Sequence, residues 1–399
     1  MGRWMLSLFG AAVLLVAAAP LFYYLLSLFC VIDFFRSRRS TPPPPADFRP
    51  PVSIIKPVRG MDLNAYENFA SFCRLDYAEY EILFGVADAD DPVIPVIRRL
   101  QLEFPDRAIR LIYPIPELGT NRKVNILCRL VSDASHDLLV MNDSDVAVDP
   151  GYLRRVVAPF QKQNVGAVTC FYRSRDAETI ASRLDALGMA MESAPGALVA
   201  RKLEGKVQFA FGWTMATTKQ CLAKIGNWES MVNHHSDDFE LGNRLAHAGY
   251  QVTLLSEPVE MVFPRETLAE FFRHELRWSI GLRNIRPAGY WAMLFTHGLP
   301  WSLAASAMVF RLGWSTRIAA AYLFGYLFLR IGLTWTTGSW GLRDSSVLRN
   351  LWLVPFRDAI SFFVWIYACF TNHIRWRGFD YRVEDRLLVP LNNSRQPQR

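Results

Sequence analysis

An apolar stretch near the start of the chain contains no charged residue between Trp4 and Ile32. A helix that crosses a bilayer needs about 20 apolar residues, and a secretory signal peptide has a shorter apolar core. The stretch is long enough to span a membrane, and its bulky end, LFYYLLSLFC, favours a retained anchor over a cleaved leader. We therefore predict a transmembrane helix over residues 1–35.

Basic residues follow this stretch directly. Arg36, Arg38 and Arg39 come after it, whereas Arg3 alone comes before it. Because loops rich in Lys and Arg stay in the cytoplasm, we expect the N-terminus outside and the following domain in the cytoplasm. Prolines crowd the segment 36–51, which predicts a stiff linker between membrane and domain.

The composition supports a membrane protein with one soluble domain. Only 20% of the 399 residues are charged and 51% are hydrophobic, whereas soluble proteins carry about 25% charged residues. This argues against a disordered chain and against a purely soluble enzyme. With membrane segments present, we interpret the net charge of +7 as basic residues facing anionic headgroups, and we expect no nucleic-acid partner.

Between residues 52 and 276 short apolar runs alternate with helical patterns. The predicted strands are VSII (52–55), EILFGVA (81–87), IRLIYP (109–114), DLLVMN (137–142) and VGAVTCFY (165–172). Continuous apolar strands separated by helices indicate an α/β domain with a mainly parallel sheet covered on both faces. Ligands of such sheets bind at the carboxyl ends of the strands.

Apolar runs return after this domain, and polar residues interrupt each of them. We predict an interfacial amphipathic segment at 277–289, membrane helices within 290–375 and a basic tail at 376–399. The candidate membrane segments are Tyr290–Phe310, Ile318–Trp340 and about Leu351–Thr371, interrupted by His297, Pro300, Arg330, Arg357 and Asp358. Three crossings would place the basic tail outside, against the positive-inside rule. Either one run is re-entrant or the tail is an exception.

Two acidic motifs follow predicted strands. Asp143 and Asp145 come one residue apart after DLLVMN. Two carboxylates on one side of an extended strand suit a hard cation such as Mg²⁺, which proteins hold with one or two carboxylates plus substrate phosphates. Asp88 directly follows EILFGVA, and Asp91 before Pro92 is typical of a helix start. An acidic turn and a helix cap are the structural alternatives.

Three further motifs carry reactive side chains. In HHSDDFEL (234–241), one aspartate suits a helix start and the other can act as a general base. NRKVN (121–125) opens a helix with basic residues, which favours an anion or plain solvation. HELRW (274–278) places Arg277 and Trp278 near the membrane segments, either as interfacial anchors or as contacts for a diphosphate and an acceptor.

The order of these motifs resembles that of GT-A glycosyltransferases, and most of all the ceramide glucosyltransferase family, glycosyltransferase family 21. The resemblance covers roughly residues 50–290 and implies a Rossmann-like GT-A domain between an anchor helix and C-terminal membrane helices. The matching stretches are KPVRGMD (56–62), ENFASFCRLDYAEYEILFGVADADDP (67–92), NRKVN (121–125), NDSD (142–145), HHSDDFELGNRLAHAGY (234–250) and HELRW (274–278).

The resemblance also implies a role for each motif. It makes Asp238 the catalytic base, and Asp143 with Asp145 the ligands of Mg²⁺ or Mn²⁺. The donor contacts that it implies are Asp88, Asp90, Lys123, Asn125, Asp143 and Arg277, and the acceptor contacts are Asp237, His274 and Trp278. One position departs from the family's (Q/R)xxRW pattern, because His274 stands first in the motif. This histidine resembles bacterial members, including hopanoid-modifying glycosyltransferases.

The function that the resemblance implies is inverting transfer of glucose from UDP-glucose to the primary hydroxyl of ceramide. The expected product is β-glucosylceramide, made by an integral protein of a bacterial inner membrane with its catalytic domain in the cytoplasm. One alternative is transfer of N-acetylglucosamine from UDP-GlcNAc to a hopanoid polyol. A processive polysaccharide synthase and a non-catalytic membrane protein are alternatives of other classes.

Overall fold

The computed structural model describes residues 2–37 and 47–391, which form two compact units. The helical unit comprises residues 2–37, 179–200 and 266–377, and the sheet unit comprises residues 47–178, 201–265 and 378–391. Residues 179–200, inside the predicted domain 52–276, belong to the helical unit. Most of the predicted linker and the end of the predicted basic tail lie outside the described residues.

Eleven strands occur in the described chain. They are β1 (Val52–Val58), β2 (Tyr80–Val86), β3 (Ala108–Ile112), β4 (Leu138–Met141), β5 (Val146–Ala147), β6 (Val165–Arg175), β7 (Met215–Thr218), β8 (Gln251–Val262), β9 (His373–Trp376), β10 (Phe379–Glu384) and β11 (Leu387–Pro390). The five strands predicted from the sequence are confirmed as β1, β2, β3, β4 and β6.

The described chain contains 15 α-helices. They are α1 (Gly2–Ser37), α2 (Ala65–Cys73), α3 (Ile94–Glu103), α4 (Arg122–Asp133), α5 (Tyr152–Val157), α6 (Ile180–Gly188), α7 (Ala194–Glu204), α8 (Lys219–Lys224), α9 (Asp237–His247), α10 (Leu268–Ile285), α11 (Pro287–Ala292), α12 (Gly298–Leu312), α13 (Thr316–Trp335), α14 (Ser345–Asn350) and α15 (Val354–Ala368). Helix α10 runs through the predicted domain boundary at residue 276.

The sheet unit is built on one eight-stranded sheet with the order β3-β2-β1-β4-β7-β6-β8-β5. Strands β3, β2, β1 and β4 run parallel, as do β6 and β8. Strand β7 is antiparallel to both of its neighbours, and β5 is antiparallel to β8. The sheet is thus a mixed one, whose parallel half places the carboxyl ends of β1, β2 and β4 along one edge.

Burial explains why the parallel half reads as continuous apolar runs. All seven residues of β1 and all seven of β2 are buried, because helices cover both faces of a parallel sheet. Helix α4 packs Ile126 and Leu130 close against the sheet at Gly85, where a Cβ atom would lie 2.4 Å from the Ile126 side chain. Glycine at this position therefore lets α4 approach β2.

The helical unit contains the apolar helices. Three of its helical segments are long and apolar enough to cross a membrane, namely Leu8–Ser37, Thr316–Gly341 and Ser345–Ala368. The pair Pro287–Thr296 and Gly298–Leu312 also passes but bends by 46°. The bend lies at His297, one of the two residues predicted to interrupt this run. The pair is either a broken span or a re-entrant loop.

Charged residues inside these helices are paired. The Arg330 guanidinium donates to both carboxylate oxygens of Asp358, with Nη2 2.6 Å from Oδ1. Arg357 donates to Leu184 O at 2.8 Å and to Glu275 Oε2 at 2.9 Å. Ionisable groups are tolerated in a membrane helix when they face the protein interior and find partners. The pairing accounts for the charges that interrupt the apolar runs.

Candidate active site

Lys123 joins two acidic motifs in the sheet unit. Its Nζ atom lies 2.8 Å from Asp143 Oδ1 and 3.0 Å from Asp237 Oδ2. Burial alone would lower the pKa of Lys123, but Asp143, Asp237 and Asp238 hold this pKa above its ordinary value. Lys123 is therefore a permanent cation between the end of β4 and the start of α9.

The start of α4 is tied to the segment that precedes α9. Asn121 caps α4, since its Oδ1 atom accepts from Val124 N at 3.2 Å. Its Nδ2 atom donates to His234 O at 2.7 Å, and its backbone N–H donates to Val232 O at 2.7 Å. One buried asparagine thus sets the position of Lys123 relative to the two aspartates of α9.

Asp143 and Asp145 lie in the turn between β4 and β5. The extended backbone that we expected for them is absent, because β4 ends at Met141 and residues 144 and 145 form a turn. Both aspartates are partly exposed, while Ser144 between them is buried and donates its hydroxyl to Asp62 Oδ2. The alternation still leaves both aspartates partly exposed and turns Ser144 inward.

Lys56 is a second cation at this edge, and it was missed in the sequence analysis. It is fully buried in β1 and donates to Asp143 O at 2.6 Å. Burial lowers the pKa of Lys56 to about 7, against the opposite effect of Asp145, Asp143 and Asp62. A lysine inside an apolar strand was the sequence signal for it, since such residues are rarely buried without a partner.

Asp238 differs sharply from its neighbour Asp237. Asp237 is buried and paired with Lys123, whereas Asp238 is partly exposed. Asp238 Oδ2 accepts from Gly212 N at 3.1 Å, and Oδ1 accepts from Phe239 N at 2.8 Å. Burial and then the charge of Asp237 raise the pKa of Asp238 to about 6, although Lys123 opposes them. A carboxylate poised near neutral pH suits a general base.

Gly212 lies where these side chains converge. A Cβ atom at this position would lie 3.0 Å from Asp143 Oδ2, 3.1 Å from Lys123 Nζ and 3.6 Å from Asp238 Oδ2. The flanking rings of Phe211 and Trp213 stack at 4.5 Å between centroids. No motif in the sequence marked this glycine, because its closeness to α4 and α9 arises only in the folded chain.

The donor set at this edge suits a hard divalent cation with few protein ligands. Among the described residues, no group of three or more His, Cys, Asp or Glu side chains is arranged to hold a metal ion. A Mg²⁺-type site needs only one or two carboxylates when substrate phosphates complete the coordination. The partly exposed pair Asp143 and Asp145 meets that requirement.

A small pocket lies beside the β2 end. It has a volume of about 300 Å³, partly open to solvent, and its lining includes Asp88, Arg122 and Asn125. The side-chain amide of Asn125 binds the backbone of Gly119. Its Oδ1 atom accepts from Gly119 N at 3.0 Å, and its Nδ2 atom donates to Gly119 O at 2.8 Å. Asp88 and Asp90 are both exposed. Asp88 is therefore accessible to a ligand in this pocket, while Asn125 forms part of the pocket wall.

Asp91 supports the loop after β1. Its carboxylate accepts from Val93 N at 3.0 Å, as a helix start requires, and from Gly60 N at 2.9 Å. Gly60 has a φ of +70°, a conformation that favours glycine. The contact fixes the KPVRGMD loop beside the pocket.

The remaining predicted site residues lie on α10 in the helical unit. His274 Nδ1 is 2.6 Å from Asp185 Oδ2, and the ring of Trp278 lies edge-on to His274 at 5.6 Å. Burial lowers the pKa of His274, but Asp185 outweighs it and the net shift is upward. Arg277 lies 5.7 Å from the centroid of the Trp376 ring. Asp185 on α6 was missed, because nothing in its local sequence links it to HELRW.

Comparison with known proteins identifies related sequences. The sequence model of glycosyl transferase family 21 matches residues 12–388. Ceramide glucosyltransferase 1 of Caenorhabditis elegans is 23% identical over 368 residues, which cover 88% of this chain and 75% of the relative. Ceramide glucosyltransferase 3 of the same organism is 24% identical over 57% of this chain, and the match spans only 50% of that relative.

Comparison of structures identifies a related fold. A mannosyltransferase from Pyrobaculum calidifontis, solved in complex with GDP-Man and Mn²⁺, superposes with a TM-score of 0.52 at 18% identity. The alignment covers 90% of this chain and 98% of that one. At this identity the likeness concerns the fold, and it confirms the predicted GT-A-like α/β architecture with apolar helices at both ends.

Proposed function

Because the chain belongs to glycosyltransferase family 21, we propose that it transfers a hexose from a UDP-sugar to a membrane lipid. The donor that we propose is UDP-glucose, and the acceptor is the primary hydroxyl of ceramide. The product is then β-glucosylceramide, formed with inversion at the anomeric carbon.

The observation that carries this proposal is the convergence of Lys123, Asp143 and Asp238 around Gly212. A fixed cation, a partly exposed carboxylate pair and a base with a pKa of about 6 are the groups that sugar transfer from a nucleotide needs. They lie at the carboxyl edge of a parallel sheet, where such folds bind ligands.

The donor side is built from residues that bind and orient. Asp143 and Asp145 would hold Mg²⁺ or Mn²⁺, which would offset the charge that develops on the departing UDP. Lys123 keeps Asp143 in place and adds positive charge beside it. Asp88 and Asp90 follow β2, and we assign them to the nucleoside, with Asn125 shaping the pocket wall and Arg277 as a further diphosphate contact.

The acceptor side uses Asp238 as the base. Its carboxylate takes the proton of the lipid hydroxyl as the hydroxyl oxygen attacks the anomeric carbon from the face opposite UDP. Direct displacement turns an α-linked donor into a β-glycoside. Asp237 stays paired with Lys123 and raises the proton affinity of Asp238, which improves its strength as a base.

A lipid acceptor fits the surroundings of α10. Three helical segments of this chain are long and apolar enough to cross a membrane, and α10 belongs to the same unit as those helices. We assign His274 and Trp278 on α10 to the acceptor headgroup, whereas Asp237, which was expected as a further acceptor contact, is buried against Lys123. A two-chain lipid can present its hydroxyl there without leaving the bilayer.

A transfer assay on the purified, detergent-solubilised protein tests the proposal. UDP-glucose and UDP-GlcNAc are each offered with ceramide and with a hopanoid polyol, in MnCl₂ and in EDTA, and products are identified by mass. We expect glucosylceramide in MnCl₂ and its loss in EDTA. Transfer of N-acetylglucosamine to the hopanoid would instead support the alternative pair of substrates, UDP-GlcNAc and a hopanoid polyol.

Two results would contradict larger parts of the proposal. UDP release without any glycolipid would retain the donor site but exclude both lipid acceptors. No UDP release from any pair, by protein that remains folded, would contradict a glycosyltransferase activity.

A further inference from the structure

The hairpin formed by β10 and β11 packs on the sheet unit beside the donor pocket. Its strands pair in antiparallel register from Tyr381–Pro390 to Glu384–Leu387. Tyr381, Val383 and Leu388 are buried, so one face of the hairpin packs against the protein. The sequence analysis treated this segment only as part of a basic tail.

Phe379 at the start of the hairpin contacts two arginines, one in the loop after β1 and one at the start of α4. The guanidinium carbon of Arg122 lies 4.0 Å from the centroid of the Phe379 ring, and that of Arg59 lies 4.6 Å from the same centroid. An aromatic ring attracts a guanidinium through its negative face. One ring therefore holds two like charges close together.

Both arginines lie in segments whose position is fixed. Arg122 is the first residue of α4 and lines the pocket beside Asp88. Arg59 precedes Gly60, whose N–H donates to Asp91. Glu117 accepts from Arg122 at 2.5 Å, and the pKa of Tyr381, raised by burial, is lowered in part by Arg122 and Arg59. The hairpin thus contacts Arg122, which lines the pocket, and holds Arg59 on the same ring.

The other end of the hairpin reaches the segment before α9. Arg386 O accepts from His235 N at 2.8 Å, and Leu388 N donates to Asn233 O at 2.8 Å. Arg386 Nη1 also lies 3.6 Å from Glu240 Oε1 on α9. The hairpin therefore contacts Arg59, Arg122 and the helix that carries Asp238.

We propose that the hairpin is part of the donor site and that Phe379 positions Arg59 and Arg122 to bind the diphosphate of the nucleotide. Guanidinium groups donate charge-assisted hydrogen bonds to phosphate oxygens, and a bound dianion adds to the negative charge that Glu117 already supplies to Arg122. The nucleoside diphosphate is the anion that this pocket would receive. This inference rests on the proposed function and adds three residues to its donor site.

Binding of UDP and of uridine to the full-length protein in detergent tests the inference. We compare the wild type with Phe379→Leu, Phe379→Tyr, Arg59→Ala and Arg122→Ala by calorimetry. Loss of the ring face in Phe379→Leu should weaken UDP binding about three- to tenfold, in line with the strength of cation–π contacts. Each arginine variant should weaken it about tenfold or more, and Phe379→Tyr should bind as the wild type does.

Uridine separates a diphosphate contact from a general disturbance of the pocket. Its affinity should be the same in all five proteins, because it lacks the phosphates. Arg382→Ala is the matched control, since it removes an exposed charge from the same hairpin that pairs only locally with Glu384 at 2.7 Å. Thermal unfolding of each variant checks that the hairpin change leaves the fold intact.

Three results would overturn the inference. Wild-type affinity for UDP in Phe379→Leu would show that the ring does not position the arginines. An equal loss of UDP and uridine binding would assign the effect to the base pocket. A wild-type protein that binds no UDP and forms no glycolipid would contradict the proposed function and this inference with it. If the wild type binds UDP and forms glycolipid, either of the first two results contradicts the inference alone.

Discussion

Two adjacent carboxylates at the start of α9 have different environments, and the difference supports the roles that we propose for them. Asp237 is buried against Lys123, with 3.0 Å between Oδ2 and Nζ. Asp238 accepts two backbone N–H groups and is partly exposed. A buried, paired carboxylate has no free access to a substrate hydroxyl. The exposed one has that access and a pKa of about 6.

Replacing Asp238 with Asn should remove the base and one of its two backbone hydrogen bonds, because an amide nitrogen cannot accept from Phe239 N. The amide keeps the size of the side chain, and an oxygen can still accept from Gly212 N. We expect the rate of sugar transfer to fall by about 10²–10⁴ or more, the usual contribution of a general base. UDP affinity, measured by calorimetry on the same protein, should remain close to that of the wild type. Normal turnover by the variant would contradict the assignment.

The pH dependence of transfer should report the proton of Asp238. A carboxyl with a raised pKa stays protonated to higher pH, so kcat/KM should fall as pH drops below about 6. Asp237→Asn removes the neighbouring charge that raises this pKa and should shift the acid limb to lower pH. Asp106→Asn, an exposed surface change, should leave the limb in place. An unmoved limb in Asp237→Asn would argue against Asp238 as the titrating group.

At the residue scale, the sequence predicts side chains that belong to recognisable motifs. Lys123, Asp143 and Asp237 were expected in one site, and the structure brings them into contact. Lys56 and Gly212 were missed for different reasons. Lys56 is a charge in a buried strand, which composition alone can flag. Gly212 matters only through contacts with residues distant in the sequence, and a single chain carries no sign of these contacts.

At the scale of elements, α9 depends on a close approach to the segment that leads to Gly212. A Cβ atom at Gly242 would lie 2.2 Å from the carbonyl carbon of Phe209 and 2.4 Å from Ala210 N. Backbone atoms cannot move aside as a flexible side chain can. The helix therefore reaches the position that gives Asp238 its bond from Gly212 N only because residue 242 has no side chain.

Gly242→Ala should separate α9 from this segment. Overpacking of a well-packed contact costs about 1–3 kcal/mol, so we expect a lower midpoint of thermal unfolding. The rate of sugar transfer should fall by more than the loss of folded protein explains, since the hydrogen bond from Gly212 N to Asp238 is lost. The control is Gly196→Ala on α7, where the nearest atom to an added Cβ is Tyr23 Oη at 3.8 Å. That change should be neutral or stabilising, because Ala favours helix over Gly by about 1 kcal/mol.

Elements with a recognisable apolar pattern were predictable from the sequence, and elements defined by long-range pairing were not. The buried strands β1, β2 and β4 are continuous apolar runs, and Gly249, with a φ of +90°, marks the end of α9 as glycine commonly does. Strand β7 has four residues and β5 has two, which is too short for any periodicity. The hairpin of β10 and β11 pairs exposed and buried residues alternately, but its charges obscured this pattern.

At the scale of the molecule, the hairpin limits how many times the chain crosses the membrane. Residues 378–391 belong to the same unit as β1–β8 and must lie on the same side of the bilayer. The chain therefore crosses an even number of times between residues 265 and 378. Segments Thr316–Gly341 and Ser345–Ala368 supply two crossings. We predict that the bent pair Pro287–Thr296 and Gly298–Leu312 is re-entrant.

Labelling of single cysteines in sealed vesicles tests this topology. Ser315 follows the bent pair, Ser345 is the first residue of the second span, next to the loop that joins the two spans, and both serines are exposed. With a membrane-impermeant maleimide, Ser315→Cys should react from the same side as Asp385→Cys in the hairpin, and Ser345→Cys from the opposite side. The unsubstituted protein gives the background of native cysteines. Reaction of Ser315→Cys from the side opposite to Asp385→Cys would show that the bent pair crosses.

The return of the hairpin to the sheet unit also orders the events of biosynthesis. Within residues 2–37 and 47–391, every candidate span precedes residue 378, so these spans are translated before the hairpin. The nascent sheet unit consequently waits for its last two strands while the helices insert. A polypeptide that stalls or is cleaved within the membrane segments would lack Phe379 and the bonds to residues 233 and 235. We therefore expect sugar transfer only from chains whose membrane segments have been translated in full.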